Sequence, residues 1–504
     1  MRFLPFLTGT AVLALSATPL SAETLREALV EAYNTNPTLA AQRAAIRAID
    51  ETVPIARASS LPGVQLQSTY NENVVLPLTA FVAPSRTTQT QANLTYSLFA
   101  GGAVKNAIAA ADTRVLGGQA SLRGTEADLF SAVVGAYMDV IRDEAIVALN
   151  RQNVKVLEVN LRASQDRFQV GDLTRTDVAQ SDARAAIARG QLQTAEARLI
   201  SSREGFVRLV GSPPTTLETP PPLPNLPSDP ETAVTVALED NPALLAAQKN
   251  GDATRYDVKV ARASRLPTVD AFAGGNYINF LGTLGSFNPN FAPPQFDRSA
   301  QIGMRFTLPL YQGGAPAARI RQAQARRAQA LEQVTEAERT VVAQARSAYA
   351  VWQSSLQVIA SSETAVNANK LSLEGVRAEN SVGNRTILDI LNAEQELLNT
   401  QVTLVTARRD AYVAGFALLA AMGQAEARDL GLEGGPLYDS TVNARRVRNK
   451  IWDFASAPDL PITGTRTTAT RSQGSEVTRP LDPILDGAVD RSAPITAGDA
   501  TKNR

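Results

Sequence analysis

The 504-residue sequence predicts an α+β membrane protein built as two structural repeats, each containing a β-hairpin and long α-helices. Three observations support this fold class. The same short phrases occur twice in register, apolar residues recur every seven positions over long stretches, and two shorter regions alternate apolar with polar residues. A seven-residue period is typical of supercoiled helices, whereas strict alternation is typical of strands with one apolar face.

The first 22 residues are predicted to be a signal peptide for export. Arg2 precedes the apolar run LPFLTGTAVLALSA, and PLSA stands directly before Glu23. The apolar run is too short for a transmembrane helix, which needs ~20 apolar residues. The sequence contains no cysteine, so we expect no disulfide to hold the exported protein together in an oxidising compartment.

The composition excludes several classes of function. Histidine and cysteine are absent, which removes the usual nucleophile systems and the usual zinc ligands. The 49 basic and 49 acidic residues balance, which gives no support for nucleic-acid binding. We expect no cofactor and no metal site. A hydrolase that uses carboxylates alone stays open as an alternative. It would need two acidic groups that converge in a closed pocket, whereas Asp177 and Asp389 are predicted below to lie at the tips of helical hairpins.

The chain contains one sequence pattern twice. ARASSLP at 56–62 returns as ARASRLP 205 residues later, and VGDLTRTDVA at 170–179 corresponds to VGNRTILDIL 212 residues later. The difference of seven residues arises in the loops of the two β-hairpins. Beyond them the register stays constant, which indicates continuous helix. The sequence therefore predicts repeat 1 at 23–218, a proline-rich linker at 219–230, repeat 2 at 231–454 and a tail at 455–504.

The tail at 455–504 is predicted to be disordered. Thr, Ser, Gly, Pro and Asp dominate it and large apolar residues are few, so it cannot form a core of its own. Just before the tail, RRVRNK at 445–450 is a short basic run. A solvated helix face is a sufficient explanation for this run, and a contact with a partner is the alternative.

Two regions that alternate apolar and polar residues are predicted to form β-hairpins, at 63–99 and at 268–311. Pro62 and Pro267 are expected to end the helices that lead into them. Strands of about ten residues with one apolar face match those of a membrane-spanning β-barrel. From the strands alone, soluble hairpins that pack against other protein are an alternative.

Four strands cannot close a membrane barrel, because barrels of this kind begin at eight strands and lipid tolerates no open sheet edge. A chain with four strands must therefore share its barrel with identical copies. Two chains would give eight strands and a tube filled by side chains, and three would give twelve strands and room for a lumen. The return from each hairpin to helix is marked by a glycine pair, and the four residues are Gly101, Gly102, Gly313 and Gly314.

Each repeat is also predicted to contain a long helical hairpin. The helical stretch from Gly102 to about Arg167 gives a helix of ~100 Å at 1.5 Å per residue. Gly171 and Gly383 fall at the far end, where a glycine can adopt positive φ and end a helix. Each VG…T…D phrase is therefore predicted to be the tight turn at a hairpin tip. The first column of apolar residues with a seven-residue spacing comprises Val133, Val140, Val147, Val154 and Leu161.

The chain resembles the TolC-like outer-membrane channel family of type I secretion and drug efflux. The resemblance covers roughly 23–454 and rests on the NP helix starts, the ARAS-x-LP phrases, the glycine pairs, the VG…T…D phrases and YDSTVNARRVRNKIWDF at 438–454. It implies a homotrimer whose 12-stranded β-barrel sits in the lipid of the outer membrane and whose α-helical barrel crosses the periplasm. It also implies docking on a periplasmic adaptor and an inner-membrane ABC or proton-driven transporter, without catalysis.

The resemblance implies a gate at the inner ends of the helical hairpins. Arg385 matches the family's gate arginine, and Thr176 and Asp177 match its usual partners on the neighbouring hairpin. Asp389 matches the first of the aspartates that ring the pore. The alternative is that these threonines and aspartates only cap the N-termini of helices.

Two gate positions depart from the family pattern. Asn380 stands where a tyrosine is common, and Asn392 stands where a second aspartate is common. We expect fewer bonds to hold the closed state, and one ring of three carboxylates that still favours cations. The expected function is passive export through an outer-membrane duct, with type I secretion favoured over multidrug efflux because of this loosened gate. The alternative is a periplasmic coiled-coil scaffold without conductance.

Overall fold

The computed structural model describes most of the chain as long helices joined to a four-stranded sheet. The predicted signal peptide at 1–22 lies outside the described residues. Among those that are described, no helix combines the length and the apolar character that crossing a bilayer requires. The described residues are 23–76, 82–288, 290–432, 437–455, 458–459 and 461–486.

Repeat 1 consists of three short helices, a β-hairpin and a pair of long helices. Its NP phrase begins the second helix, because Pro37 takes the first helical position and the Asn36 side chain accepts a hydrogen bond from the backbone of Thr38 at 2.9 Å. In chain order the elements are α1 (Leu25–Thr35), α2 (Pro37–Asp50), α3 (Thr52–Ala58), β1 (Gly63–Glu72), β2 (Arg86–Ala100), α4 (Ala103–Gln169) and α5 (Arg175–Val210).

Repeat 2 has the same order, with one helix of 22 residues in place of α2 and α3. The Asn241 side chain caps this helix as Asn36 caps α2, by accepting a hydrogen bond from the backbone of Ala243 at 3.0 Å. The proline-rich linker contains no helix before Pro230, which is the first residue of the next element. The elements are α6 (Pro230–Asp240), α7 (Pro242–Ala263), β3 (Thr268–Asn279), β4 (Phe296–Thr307), α8 (Ala315–Ser381), α9 (Ile387–Ala421) and α10 (Ser440–Val447).

The four strands form one antiparallel sheet in the order β1-β2-β3-β4. The central pair, β2 and β3, joins the hairpins of the two repeats, and β1 and β4 are the edges. Apolar side chains are exposed along the sheet, with Leu66 at 74%, Ile302 at 88% and Phe306 at 65%. Strand β4 ends at Thr307, earlier than the predicted hairpin end at 311, because Pro309 follows and cannot donate a ladder hydrogen bond.

The junctions between sheet and helices differ in detail from the prediction. The entering helices end at Ala58 and Ala263, four residues before Pro62 and Pro267, so the prolines do not end the helices. Each proline stands directly before a strand, which begins at Gly63 or Thr268. Turns with short backbone hydrogen bonds, such as Leu61 N to Ala58 O at 3.0 Å, fill the gap. The prolines instead hold the preceding residues in extended backbone.

The exits from the sheet need glycine. Gly101 and Gly102 have φ of 58° and 79°, and Gly313 and Gly314 have φ of 60° and 80°. A side chain at Gly101 would also collide with Leu266, whose Cβ would lie 2.7 Å from the added Cβ. Positive φ at two successive residues turns the chain sharply from a strand into a helix, and glycine does so without steric cost.

The largest apolar core packs α1 and α2 against the middle of α4 and against the ends of α5 and α9. Phe130, Tyr137 and Phe206 are fully buried there. The Tyr137 hydroxyl lies 2.8 Å from the backbone carbonyl oxygen of Glu23 and 2.7 Å from that of Glu218, so its single proton is shared between the two acceptors. These contacts tie the first and the last residue of repeat 1 to the middle of α4.

The prediction that the tail at 455–504 is disordered is wrong for residues 461–486, which contact the long helices. Arg203 donates hydrogen bonds of 2.8 and 2.6 Å to two backbone carbonyls of the tail. Leu485 is 3% exposed, and its carbonyl accepts a bond from Gln401 at 2.6 Å. A segment that is too polar to form its own core can be ordered when an existing surface satisfies its backbone.

Candidate pore gate at the helical hairpin tips

Both long hairpins turn in the same way. α4 ends at Gln169 and α8 ends at Ser381, and a glycine follows two residues later in each case. Gly171 has φ 88° and Gly383 has φ 84°, so both adopt the left-handed conformation that closes a helix C-terminus. An added Cβ would meet no atom within 4 Å at either glycine, so steric crowding does not require glycine there. The positive φ is therefore the reason for glycine at both positions.

The threonine and aspartate of each repeated phrase form a capping box at the start of the returning helix. Asp177 Oδ2 accepts hydrogen bonds from the backbone and hydroxyl of Thr174 at 2.9 and 2.7 Å. Asp389 Oδ2 accepts the same two bonds from Thr386 at 2.9 and 2.8 Å. The phrase is therefore repeated because the same cap begins α5 and α9.

These hydrogen bonds keep the two carboxylates ionised. The hydroxyl of Thr174, followed by its backbone N–H, lowers the pKa of Asp177. The backbone N–H of Thr386, followed by its hydroxyl, lowers the pKa of Asp389. Both aspartates thus carry a negative charge at the N-terminus of a helix, where the helix dipole also favours it.

Arg385 pairs with its own hairpin. Its Nε lies 2.7 Å from Glu379 Oε2, with both side chains about half exposed, and this bond raises the pKa of Arg385. The structure places Arg385 at the tip of the second hairpin, and Thr176 and Asp177 at the tip of the first. Thr176 is exposed. Within one chain, the partner that the structure gives Arg385 is Glu379 and not the pair implied by the resemblance.

The two asparagines at the departing positions have defined structural contacts. Asn380 is buried, and its Nδ2 donates to the backbone carbonyl of Arg385 at 2.7 Å across the turn. Asn392 Oδ1 accepts a hydrogen bond of 2.9 Å from Arg184. The second bond joins α5 of the first hairpin to α9 of the second.

The bond between Arg184 and Asn392 does not follow from the sequence alone. The sequence gives only a weak indication of this bond. Arg184 lies seven residues after Asp177, and Asn392 lies three residues after Asp389. Each side chain therefore lies on the same side of its helix as the aspartate of the capping box. Knowing that these sides face one another requires the packing of the two hairpins. That packing is apolar at its centre, where Leu157, Leu161, Ala185, Ala188, Ile387 and Leu391 form one buried cluster.

The tips offer charged and polar groups without a built metal site. In the part of the chain that the structure describes, no three acidic, histidine or cysteine side chains converge closely enough to hold a metal ion. The geometry instead supplies two ionised carboxylates at helix N-termini, the exposed arginines Arg175 and Arg385, and two amides. Such groups can attract or repel ions and can bond one hairpin to another.

Comparison with known proteins gives the family. A profile of the family described as outer membrane efflux protein matches residues 28–212 and 233–424. Outer membrane efflux protein BepC of Brucella suis is 33% identical over 455 residues, 90% of this chain and 94% of BepC. Outer membrane protein TolC of Escherichia coli is 27% identical over 498 residues, 95% and 99% of the two chains. Alkaline protease secretion protein AprF of Pseudomonas aeruginosa is 26% identical over 357 residues, 69% and 72% of the two.

The solved outer membrane protein VceC of Vibrio cholerae has the same fold, with a TM-score of 0.68 and 22% identity over 79% of this chain and 96% of VceC. An open-edged sheet with exposed apolar side chains, continued by two long helical hairpins, defines one subunit of an outer-membrane channel. The chain belongs to the outer membrane efflux protein family.

Membership of this family confirms several predictions. The fold class is confirmed: each chain supplies four antiparallel strands to a trimeric 12-stranded barrel, which long paired helices continue. The outer-membrane location, with extension into the periplasm, is also confirmed. The protein is a channel and not an enzyme, so the hydrolase alternative is wrong.

Proposed function

We propose that three chains form a passive export duct that closes at the hairpin tips. The observation that supports this is the kind of contact found there. Arg184 bonds Asn392 at 2.9 Å between the two hairpins, whereas Arg385 bonds Glu379 at 2.7 Å within the second hairpin, and both bonds are exposed. Exposed polar pairs contribute little to stability. The tips can therefore separate while the capping boxes that begin α5 and α9 stay intact.

We infer that Asp389 lines the constriction of this duct. Its carboxylate is held at the first turn of α9 and stays ionised because the bonds from Thr386 lower its pKa. Three copies would bring three negative charges to one ring, which favours cations. In the same proposal, Arg385 meets Thr176 and Asp177 of a neighbouring chain when the duct is closed.

Recordings from planar bilayers test the role of Asp389. Asp389→Asn keeps the shape of the side chain and removes its charge, so we expect it to lower the preference for cations over anions. Asp177→Asn is the matched control, because it changes the same capping box on the first hairpin. Unchanged selectivity in Asp389→Asn would remove Asp389 from the pore lining, and an equal loss in both variants would assign the selectivity to both tips.

We further propose that the duct works with a periplasmic adaptor and an inner-membrane transporter, and that the transporter is of the ABC type used in type I secretion. The names of the relatives point both ways, since BepC is an efflux protein and AprF is an alkaline protease secretion protein. The gate favours secretion. Asn380 donates to the backbone carbonyl of Arg385, and Asn392 accepts from Arg184. Because both asparagines are uncharged, fewer charged contacts hold the gate closed and must break when a large cargo enters.

Complementation distinguishes the two kinds of cargo. The gene is expressed in a bacterium that lacks its own channel of this family, and export of a type I protein substrate and resistance to toxic small molecules are measured side by side. We expect restored protein export with little gain in resistance. Restored resistance without protein export would contradict the preference for secretion and would leave the duct itself intact.

A further inference from the structure

Basic and large apolar side chains occur together in the last turn of α10 and directly after it. This aromatic–basic patch comprises Arg446, Lys450, Ile451, Trp452 and Phe454. Ile451 is 67% exposed, Trp452 71% and Phe454 85%, and the rings of Trp452 and Phe454 are in edge contact with centroids 5.8 Å apart. Three large apolar side chains together in water mark a contact surface.

Helix α10 points toward the sheet. Near its start, Asn443 Nδ2 donates to Asp50 Oδ2 at 2.7 Å, at the end of α2. Just beyond its end, Asn449 Oδ1 accepts a bond of 2.5 Å from Arg57, near the end of α3. Since α2 and α3 lead to β1, the chain advances toward the strands as it approaches the patch.

The distance from the patch to the sheet can be bounded. Arg448 pairs with Asp112 at 2.8 Å, nine residues after α4 begins at Ala103, which is ~14 Å along a helix. The four residues from Arg448 to Trp452 span less than the ~14 Å of an extended chain, because Lys450 N bonds Val447 O at 3.0 Å in a turn. Trp452 therefore lies near the end of the helical layer from which the strands emerge, the end that faces the membrane.

The net charge of segment 445–454 is positive, since four basic residues outnumber Asp453, which is exposed between Trp452 and Phe454. Arg445 and Arg448 are paired with Asp439 and Asp112. Arg446 instead bonds the neutral side chain of Asn443 at 2.8 Å, so its charge is not neutralised there, and Lys450 is exposed. Basic groups beside a tryptophan and a phenylalanine fit an anionic lipid surface, because aromatic rings favour the headgroup level and basic groups are attracted to the phosphates.

We propose that the aromatic–basic patch rests on the periplasmic surface of the outer membrane. Trp452 and Phe454 lie at the boundary between headgroups and acyl chains, and Arg446 and Lys450 lie against the phosphates of anionic phospholipids. Each chain of the trimer would thus contact lipid headgroups around the periplasmic end of the β-barrel. Coverage of the patch by a neighbouring copy of the chain is the competing outcome.

The two tryptophans make a direct test possible. The sequence contains only Trp352 and Trp452, so Trp352→Phe in the full-length trimer leaves Trp452 as the sole reporter. Trp452→Phe is the matched control, because Trp352 lies 37 residues into α8, ~55 Å from its start. Both proteins are reconstituted in phosphatidylethanolamine–phosphatidylglycerol vesicles with brominated acyl chains, and tryptophan emission is measured.

We expect brominated lipid to quench Trp452 several times more strongly than Trp352. Equal quenching of the two would overturn the proposal. Acrylamide, a quencher dissolved in the water, then distinguishes the two other arrangements. Strong quenching of Trp452 by acrylamide would mean that the patch faces solvent. Protection of Trp452 from both quenchers would mean that a neighbouring chain covers the patch.

The charged half of the proposal has its own test. Arg446→Gln combined with Lys450→Gln is made in the Trp352→Phe background, and trimer formation is checked on gels. We expect weaker quenching of Trp452 in vesicles that contain phosphatidylglycerol and no change in vesicles of phosphatidylcholine alone. Identical quenching with and without the two charges in phosphatidylglycerol would show that the basic residues do not contact the lipid.

Discussion

The long helices α4 and α8 have the same length and equivalent places in the two repeats, yet they are buried to very different extents. Each has 67 residues, of which 27 are buried in α4 and seven in α8. α4 lies between α5, α7 and α9, whereas α8 leaves Leu371 71% exposed and Val351 55% exposed. Apolar residues that are spaced for packing but left open indicate a missing neighbour.

This difference identifies the boundary of the subunit. α5, on the other side of the chain, also leaves an apolar side chain open, with Ile187 53% exposed. We expect a ring of helices to close when the open face of α8 in one chain meets the open face of α5 in the next. The open edges of β1 and β4 pair in the same step, so the sheet and the helices require the same copies.

The largest effect is expected from a charge on the open face of α8. Leu371→Arg changes little within one chain, because the side chain is 71% exposed, but in the trimer it would bury an unpaired charge. We expect loss of the trimer on gels and in light scattering, with helical content retained. Leu371→Met, which keeps the surface apolar, is the control. Full trimer yield from Leu371→Arg would mean that this face is not an interface.

A large but local effect is expected from the buried helix. Phe130→Ala removes a fully buried ring from the core of α4 and should lower the free energy of unfolding by ~3–5 kcal/mol. The equivalent residue 212 positions later, Val342, is only partly buried, so Val342→Ala should cost much less. Thermal unfolding followed by circular dichroism gives both values. Equal losses would contradict the difference between α4 and α8.

A small effect is expected where the two hairpins meet. Arg184→Ala and Asn392→Ala, made singly and together, measure the coupling across the 2.9 Å bond between α5 and α9. An exposed bond of this kind should contribute ~0.2–1 kcal/mol. A higher frequency of channel opening is expected in both single variants and no further rise in the double variant. Additive changes would show that the two side chains act independently.

The smallest effect is a pH dependence that differs between α4 and the tips. Burial raises the pKa of Glu126 in α4 above its ordinary value, so the protonated form favours the folded state and stability should fall as pH rises through the raised pKa. The lowered pKa of Asp177 has the opposite sign: its contribution is complete above pH 3.8 and is lost below it. Glu126→Gln should flatten the change of melting temperature above pH 4.5, and Asp177→Asn only below pH 3.8. A reversed pattern would contradict these assignments.

The sequence predicted what depends on local periodicity and failed where distant segments meet. A continuous seven-residue pattern predicts the long helix of repeat 1 from Gly102 to about Arg167, and the helix extends from Ala103 to Gln169. Its column residue Val133 is fully buried. The tip glycines were likewise expected, since positive φ is a local requirement.

The order of the tail could not be predicted from its composition. Its backbone is held by Arg203 and Gln401, which lie more than 80 residues earlier in the chain. The same holds for the partner of Asn392. Whether Arg385 turns toward Glu379 or toward a neighbouring chain depends on tertiary and quaternary packing, which an exposed charged residue does not record in its local sequence.

The central claim is that identical copies complete both the sheet and the helical layer of this chain. The sequence has no cysteine, so Gln67→Cys on β1 and Gln301→Cys on β4 introduce the only thiols, one on each edge strand. A short bis-maleimide reagent is applied to the protein in its membrane, and the products are separated by denaturing electrophoresis. The account predicts linked species of two and three chains and none larger. A ladder that ends at two chains, or that continues beyond three, would contradict it.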